Sequence, residues 1–416
     1  MDTPSPLHLF EAFGVELEYM IVDRETLSVK PITDEVLRAV AGEYASDVER
    51  GALEWSNELV LHVIELRTHG PAPSLDSLGP VFQADVAAIQ EILEPHGARL
   101  MPTAAHPWMD PEKETVLWPH DYNAVYESFH RIFGCNGHGW SNLQCTHLNL
   151  PFDGDDEFGR LHAAIRMVLP IIPAIAASSP ILDGKPTGYH DSRLNVYRDN
   201  ARRIPIVSGL VIPEPVYTRE GYEDRILGRI YDAIAPHDPD GILQHEWVNA
   251  RGAIARFDRD TIEIRTVDIQ ECPVADIAIA HAITSVMRAF VDERWQEYAE
   301  QASWETERLN RILLDTTKRA EHAVITDTDY LEALGWGDVP CSAGELWRHL
   351  IEDVVYADVD YDGGWAESLE VIMGEGTLAE RILHATGPAP SREKLEEVYG
   401  ELCRCLDQGT MFHAEG

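Results

Sequence analysis

The stretch "TIEIRTVD", residues 261–268, carries the pattern on which the prediction of this fold rests, and "VIELRT", residues 63–68, is a near copy of it. Each places a glutamate and an arginine two positions apart within an apolar run. Successive side chains of a β-strand point to opposite faces. Glu263 therefore shares one face with Arg265, and the isoleucines beside them take the other face. The pattern predicts strands with one apolar face and one charged face.

Two more segments follow the same rule, "GVELEY" at residues 14–19 and "CTHLNL" at residues 145–150. Their apolar side chains alternate with acidic, imidazole or amide groups, as expected for strands with two unlike faces. The polar faces of the four predicted strands carry, in chain order, Glu16 and Glu18, Glu65 and Arg67, His147 and Asn149, and Glu263 and Arg265.

For a single strand, the ordinary explanation of a polar face is contact with water. A solvated face, however, usually mixes lysine, threonine, serine and glutamine, whereas these faces are dominated by glutamate, arginine and histidine. Glu16 and Glu18 would also repel each other unless a cation or an arginine lies between them. Taken together, the four segments predict a functional site.

The residue types indicate which cation such a site would hold. Several carboxylates with one imidazole suit Mg²⁺ or Mn²⁺ better than a structural zinc ion. Arginines on the same faces can bind phosphate or carboxylate groups with two hydrogen bonds each. The chain has no P-loop, because "DGKPTG" at residues 183–188 lacks the required spacing. Nor does nucleophilic catalysis by Cys145 follow from the sequence, since no His–Cys pair can be argued from it.

The net charge is unusual for an ordinary globular composition. The 416 residues include 72 acidic and 33 basic residues, of which five are lysines, for a net charge of −39. Such a surface repels nucleic acids and anionic membranes, so neither is expected as a partner. Acidic residues spread along the whole chain, with few lysines, are typical of proteins from salt-loving cells. At molar salt the Debye length falls to about 3 Å, which screens the self-repulsion.

The distribution of elements favours an α+β fold with an antiparallel or mixed sheet, because strands do not alternate strictly with helices. No apolar run approaches the ~20 residues of a membrane span, and the first residues do not follow the pattern of a secretion signal. The expected location is therefore the cytoplasm. Strands are predicted within residues 13–23, 57–68, 143–152 and 247–269, and helices over residues 74–97, 156–180 and 276–301, with a mostly helical region thereafter.

Five segments, in this order, resemble the glutamate–cysteine ligases and related carboxylate–amine ligases. The most specific are the S-S-P…T-G-Y…S-R run and the W…R…T-x-E-x-R…D run. The resemblance implies a glutamine-synthetase-like fold, in which the sheet forms a catalytic funnel flanked by helices. It also implies a catalytic domain over residues 1–300 and a helical C-terminal extension, residues 301–416, packed on the same domain. The matching segments are residues 13–23, 97–108, 145–152, 174–198 and 246–270.

The resemblance also implies roles for individual residues. Two positions depart from the common family pattern: Asn149 stands where many members have a second histidine, and the segment "AAHPW", residues 104–108, has alanine in place of a usual glycine. Glu58 would need a bend in the chain to join the others, because in an unbroken strand it would face away from Glu65. The implied metal ligands are Glu16, Glu18, Glu65, His147, Glu263 and Glu58; the catalytic arginines are Arg265 and Arg251; and the substrate-binding residues are Arg193, Tyr189, Arg67 and Asn149.

The implied reaction is ATP-dependent. ATP would phosphorylate the side-chain carboxylate of glutamate, and an amine, with cysteine the first to try, would displace the phosphate. The metal would be Mg²⁺ or Mn²⁺, the partners would be these small molecules, and a homo-oligomer is possible. Two alternatives stay open from sequence alone: a metal-dependent amide hydrolase that needs no ATP, and a catalytically silent relative that only binds a small acid or a nucleotide.

Overall fold

An eight-stranded antiparallel sheet surrounds strand β1. The computed structural model describes residues 5–356 and 364–414. The strand order is β2-β3-β4-β1-β6-β8-β7, with β5 paired to the end of β1. The strands are β1 (Gly14–Asp23), β2 (Asp47–Arg50), β3 (Leu53–Asn57), β4 (Val63–Thr68), β5 (Ala98–Met101), β6 (Cys145–Pro151), β7 (Ala253–Arg256) and β8 (Thr261–Asp268).

Helices cover one face of this sheet and form most of the C-terminal region. The longer ones are α1 (Thr33–Ala41), α2 (Leu78–Leu93), α3 (Asn123–Phe133), α4 (Gly154–Val168), α5 (Pro273–Val291), α6 (Thr306–Arg319), α7 (Ala343–Leu350), α8 (Trp365–Glu375), α9 (Leu378–Thr386) and α10 (Arg392–Gln408). Shorter α-helices are Pro111–Glu114, His138–Ser141, Pro173–Ala176, Ser192–Tyr197, Arg219–Tyr222, Arg229–Ile234, Tyr298–Ala302 and Thr328–Glu332. Two-residue strands form the hairpins Ile181–Leu182 with Lys185–Pro186 and Val324–Ile325 with Cys341–Ser342.

The apolar face of the sheet is the centre of the hydrophobic core. Leu17, Ile64, Leu148 and Ile264, one from each of the four predicted strands, are almost fully buried in one cluster. Burial of such side chains contributes about 1.5–3 kcal/mol each. A shift of register by one residue would exchange the two faces, so this core also fixes where the charged side chains point.

The sequence located the main elements but misjudged some of their limits. The strand predicted over 57–68 begins only at Val63, because residues 58–62 form a turn. The helix predicted from residue 74 begins at Leu78. The single helix predicted over 276–301 is wrong: α5 ends at Val291, where the left-handed backbone of Glu293 (φ 55°) breaks it. The short strands β2, β3 and β5 were not predicted.

Helix α5 is 19 residues long and mostly apolar. Within the described residues it is the one helix long and apolar enough, by length and composition, to cross a membrane. Seventy-two per cent of its most apolar window is buried inside the protein, as is typical of a core helix.

The helices after residue 300 share the core with the sheet. Trp347 donates a hydrogen bond from Nε1 to the carbonyl oxygen of Ile171 (2.7 Å), and Tyr330 donates one to the carbonyl of Met167 (2.6 Å). Leu309, Trp347 and Leu369 belong to the same buried cluster as the strands. The division at residue 300 stays a prediction.

A buried ion pair joins α9 to the segment that follows β8. The Nη1 atom of Arg381 lies 2.5 Å from Oε1 of Glu271, and both side chains are almost fully buried. The same nitrogen donates to the carbonyl of Phe412. Removing one partner of a buried pair leaves the other charge without a counter-ion in a medium of low polarity.

We therefore expect Arg381→Met to lower the free energy of unfolding by about 3–5 kcal/mol, measured by urea denaturation. Arg404→Gln, which removes an exposed pair with Glu401, is the control and should cost about 1 kcal/mol or less. A loss below 1 kcal/mol in the Arg381 variant would contradict a structural role for this pair.

Candidate active site

The charged face of the sheet brings acidic side chains from separate strands together. In the pairing of β1 with β4, Glu18 stands opposite Glu65. In the pairing of β1 with β6, Glu16 stands opposite His147. Glu263 on β8 stands opposite Asn149 on β6. Directly opposite side chains of an antiparallel pair have Cβ atoms about 4.5–5.5 Å apart, so the register alone makes these groups neighbours.

One cluster contains Glu16, His147 and Glu263, with one ligand atom from each residue within 4.8 Å of the others. His147 Nδ1 lies 2.7 Å from Oε2 of Glu16 and 3.9 Å from Oε1 of Glu263. Asn149 donates from Nδ2 to the other oxygen of Glu16 at 3.1 Å. The amide therefore orients a carboxylate.

A second cluster contains Glu18, Glu58 and Glu65, again with ligand atoms within 4.8 Å of one another. Glu58 joins it because β3 ends at Asn57 and the chain turns before β4 begins. This turn is the bend that the sequence required. Ser56 donates from Oγ to Oε1 of Glu65 at 2.8 Å and so fixes one of its oxygens.

The carboxylates perturb one another strongly. Burial, together with the charge of a neighbouring carboxylate, raises the pKa of Glu18 and of Glu65 above the ordinary value and raises that of Glu58 to about 7. Burial acts in the same sense on Glu16, but the hydrogen bond and charge of His147 outweigh it and lower its pKa to about 2. A divalent cation would relieve the repulsion.

The donor set fits the predicted metal. Five carboxylates and one imidazole are mostly hard oxygen ligands, as Mg²⁺ and Mn²⁺ prefer. The exception is Cys145, whose Sγ lies 3.3 Å from Oε2 of Glu18 and 3.1 Å from Nε2 of His147. Its backbone N–H also donates to Glu18 at 2.8 Å. The thiol therefore packs at the contact between the two clusters.

A cavity of about 270 Å³ opens beside these clusters. Its lining combines two kinds of residue. The charged ones are Glu18, Glu58, His147, Arg193 and Arg265, and the aromatic ones are Tyr126, Phe129, Trp140, Tyr197 and Trp247. Such a cavity offers polar groups for orientation and apolar surface for the body of a ligand.

Two of the predicted arginines border the cavity. Arg265 pairs through Nε with Oε1 of Glu263 at 2.5 Å and keeps part of its side chain exposed. Arg193 is buried and pairs with Asp268, and Ser179 donates to the same carboxylate at 2.8 Å. Arg265 can therefore offer free donors to a ligand, whereas Arg193 is held in place by its partner.

The other three predicted residues lie further out. Arg251 does not line the cavity; its guanidinium forms two hydrogen bonds of 2.6 Å with Glu214. Tyr189 lines an adjoining groove that shares Trp140 with the cavity. Arg67 pairs with Glu65 and with a second glutamate on β3. Their assignments to catalysis or substrate binding stay predictions.

Sequence reasoning missed several neighbours of the site. No His–Cys pair was argued for Cys145 from the sequence, whereas its Sγ lies 3.1 Å from Nε2 of His147; the alternation of β6 puts residues two positions apart on one face and so could have predicted the contact. Arg256 pairs with Oε2 of Glu263 at 3.2 Å, and it precedes the hairpin between β7 and β8, whose register was not predicted. Trp247 lines the cavity and also packs against the main core. No periodicity in the sequence predicts the aromatic residues of the cavity lining, because they come from loops and helices distant in sequence.

With this geometry established, the chain can be compared with known proteins. Residues 12–401 match the family model described as glutamate-cysteine ligase family 2. The chain belongs to this family of ligases. A protein of Archaeoglobus fulgidus, named only as uncharacterized, is 31% identical over 399 residues, covering 96% of this chain and 99% of its own length. A Bradyrhizobium sp. protein named "Putative glutamate--cysteine ligase 2" is 24% identical over 90% of this chain and 83% of its own length.

The fold comparison agrees with the family assignment. The crystal structure of a glutamate–cysteine ligase from Francisella tularensis, in complex with AMP, aligns with a TM-score of 0.64. The alignment covers 97% of this chain and 90% of that one at 12% sequence identity, so the likeness concerns the fold. The predicted glutamine-synthetase-like fold with a helical C-terminal region is confirmed.

The second cluster generates a binding prediction. Replacing Glu65 by glutamine removes a charged ligand while keeping the hydrogen bond from Ser56 possible, so we expect Mn²⁺ affinity to fall at least about tenfold, since even indirect perturbations of metal sites cost this much. The measurement is Mn²⁺ titration followed by electron paramagnetic resonance. Glu49→Gln, an exposed position on β2 of the same sheet, should bind Mn²⁺ unchanged. Equal affinity in both variants would remove Glu65 from the metal site.

Proposed function

We propose that this protein is an ATP-dependent ligase that joins the side-chain carboxylate of glutamate to an amine, with cysteine the first amine to test. The observation that carries the proposal is the pair of adjoining acidic clusters beside one cavity that Arg265 also borders. Phosphoryl transfer to a carboxylate needs several positive charges close together. The acidic clusters could bind divalent cations, and Arg265 adds a further positive charge.

The proposed reaction has two steps. A carboxylate oxygen of glutamate attacks the γ-phosphorus of ATP, the bond to the β,γ-bridging oxygen breaks, and ADP leaves. The nitrogen of the amine then attacks the carbonyl carbon of the acyl phosphate, inorganic phosphate leaves, and the nitrogen gives up a proton. The first step makes a carboxylate, a poor acyl electrophile, reactive towards the amine.

The residues that would hold Mg²⁺ are those of the two clusters. When bound there, Mg²⁺ would neutralise phosphoryl oxygens and so favour transfer. The clusters share a boundary formed by Glu18, His147 and Cys145. The AMP complex of the Francisella tularensis structure supports a nucleotide as substrate for this fold.

Arginines would control the developing charge. Arg265, partly exposed and beside Glu263, would donate hydrogen bonds to the phosphoryl group or the acyl phosphate. Arg193, held by Asp268, would border the site without needing to move. The aromatic residues of the cavity lining would pack against the apolar part of a substrate. The amines to be tested should therefore include apolar and aromatic amines as well as cysteine.

We expect ADP release to require glutamate, Mg²⁺ and an amine together. The assay is coupled ADP detection in high-salt buffer, chosen for the acidic surface, with each component omitted in turn. Cleavage of amides without ATP would instead support a hydrolase. Binding of ATP or glutamate without turnover of any amine in the panel would support a silent relative.

A single substitution tests the catalytic role of the acidic face. Glu263 is almost fully buried between Arg265 and Arg256, and Glu263→Gln keeps its shape but removes its charge. We expect kcat to fall by at least about a hundredfold, a loss of about 2.7 kcal/mol in transition-state stabilisation, with an unchanged circular dichroism spectrum. Glu49→Gln should retain wild-type kcat. Near-wild-type turnover in the Glu263 variant would exclude this residue from catalysis.

A further inference from the structure

Three side chains outside the acidic clusters converge where the loop of residues 187–191 meets the C-terminal helices. This loop is called the substrate loop because it carries Tyr189, a predicted substrate-binding residue. The three side chains are His190, His322 and Glu380, and one ligand atom of each lies within 4.8 Å of the others. His190 follows Tyr189 in the loop, His322 ends a 3₁₀ turn after α6, and Glu380 lies in the first turn of α9. Residues distant in sequence thus present ligands to one point.

The distances match those around a small metal ion. Nε2 of His190 lies 3.1 Å from Oε2 of Glu380, and Nε2 of His322 lies 3.5 Å from the same oxygen. Ligands at about 2.0–2.1 Å from a tetrahedral ion are separated from each other by about 3.3 Å. An ion could therefore enter this group with only small movements of the side chains.

The surroundings of His190 also fit a metal ligand. Its second ring nitrogen, Nδ1, lies 3.1 Å from the carbonyl oxygen of Lys318. A histidine that binds a metal commonly donates its other N–H to a backbone carbonyl, which fixes the tautomer and directs the free lone pair at the ion. The side chain of His322 is 58% exposed, which gives an ion a route from solvent.

We propose that His190, His322 and Glu380 form a binding site for a transition-metal ion such as Zn²⁺, separate from the acidic clusters and independent of the proposed reaction. Two imidazoles and one carboxylate favour Zn²⁺, Co²⁺ or Ni²⁺ over Mg²⁺. Three protein ligands leave a fourth position for water. The bound ion connects the substrate loop to the C-terminal helices and so restrains the loop that leads to Arg193.

Neighbouring groups explain why the ligands are already oriented. Glu321 accepts hydrogen bonds from the backbone nitrogen (2.9 Å) and the hydroxyl (3.0 Å) of Thr377, the N-cap residue that precedes α9. This contact fixes the start of the helix that carries Glu380 next to the turn that carries His322. Without a metal, the contact between His190 and Glu380 is an ion pair whenever the imidazole is protonated, and the metal replaces that proton.

The test is a comparison of metal stoichiometry between variants of the full chain. Chelator-treated protein is titrated with Zn²⁺ by calorimetry, and any Zn²⁺ bound at the acidic clusters counts equally in each titration, because all the variants keep the same ligands there. The wild-type protein should bind one more Zn²⁺ than His322→Gln or Glu380→Gln. Co²⁺ should give the absorption bands of a four-coordinate nitrogen and oxygen site in the wild type, and these bands should be lost in both variants.

A matched control separates a metal site from an ordinary histidine–glutamate pair. His413 and Glu375 form an exposed pair with Nδ1 and Oε1 2.8 Å apart, and neither residue belongs to a group of three possible ligands within the described parts of the chain. His413→Gln should bind Zn²⁺ like the wild type. Equal Zn²⁺ stoichiometry in the wild type, His322→Gln and Glu380→Gln would overturn the proposal and leave these contacts as a simple ion pair. Thermal melting without metal confirms that each variant is folded.

Discussion

Repulsion between buried carboxylates is the constraint on which the rest of this structure depends. Glu18, Glu65 and Glu263 are each almost fully buried on one face of the sheet, where like charges are costly. The opposite face explains how they remain there: it packs into the main core and fixes the register of every strand. The free energy gained by burying the apolar face thus keeps the glutamates of the charged face together against their mutual repulsion.

The glutamate–arginine spacing has a direct structural meaning. Arg265 pairs with Glu263 on the same strand, and Arg67 pairs with Glu65. In each case a cation two positions away on the same face lowers the cost of the buried carboxylate. The spacing therefore stabilises the buried glutamates of the charged face. Arg265, which also lines the cavity, is placed to interact with an anionic ligand.

Strand alternation could predict the two unlike faces of the sheet and the centre of the site, because the four strands that carry them obey a simple period of two. The glutamine-synthetase-like fold was predicted from the resemblance of five segments. Strand alternation could not predict the turn that brings in Glu58, since turns interrupt the period. Nor could it predict that Arg251 would form an ion pair with Glu214, because these residues are 37 positions apart in sequence. The break after α5 was missed for a similar reason: residues 292–297 have helical composition, and a left-handed backbone at Glu293 ends the helix.

The turn after β3 gives the two acidic clusters different mechanical properties. In the cluster of Glu16, His147 and Glu263, every ligand stands on a paired strand. In the other cluster, Glu58 is attached to a loop, so one ligand can shift without disturbing the ladder of hydrogen bonds. If the clusters hold ions as proposed, the position at Glu58 would accommodate ions of different radius. The position formed by the paired strands would keep a fixed size.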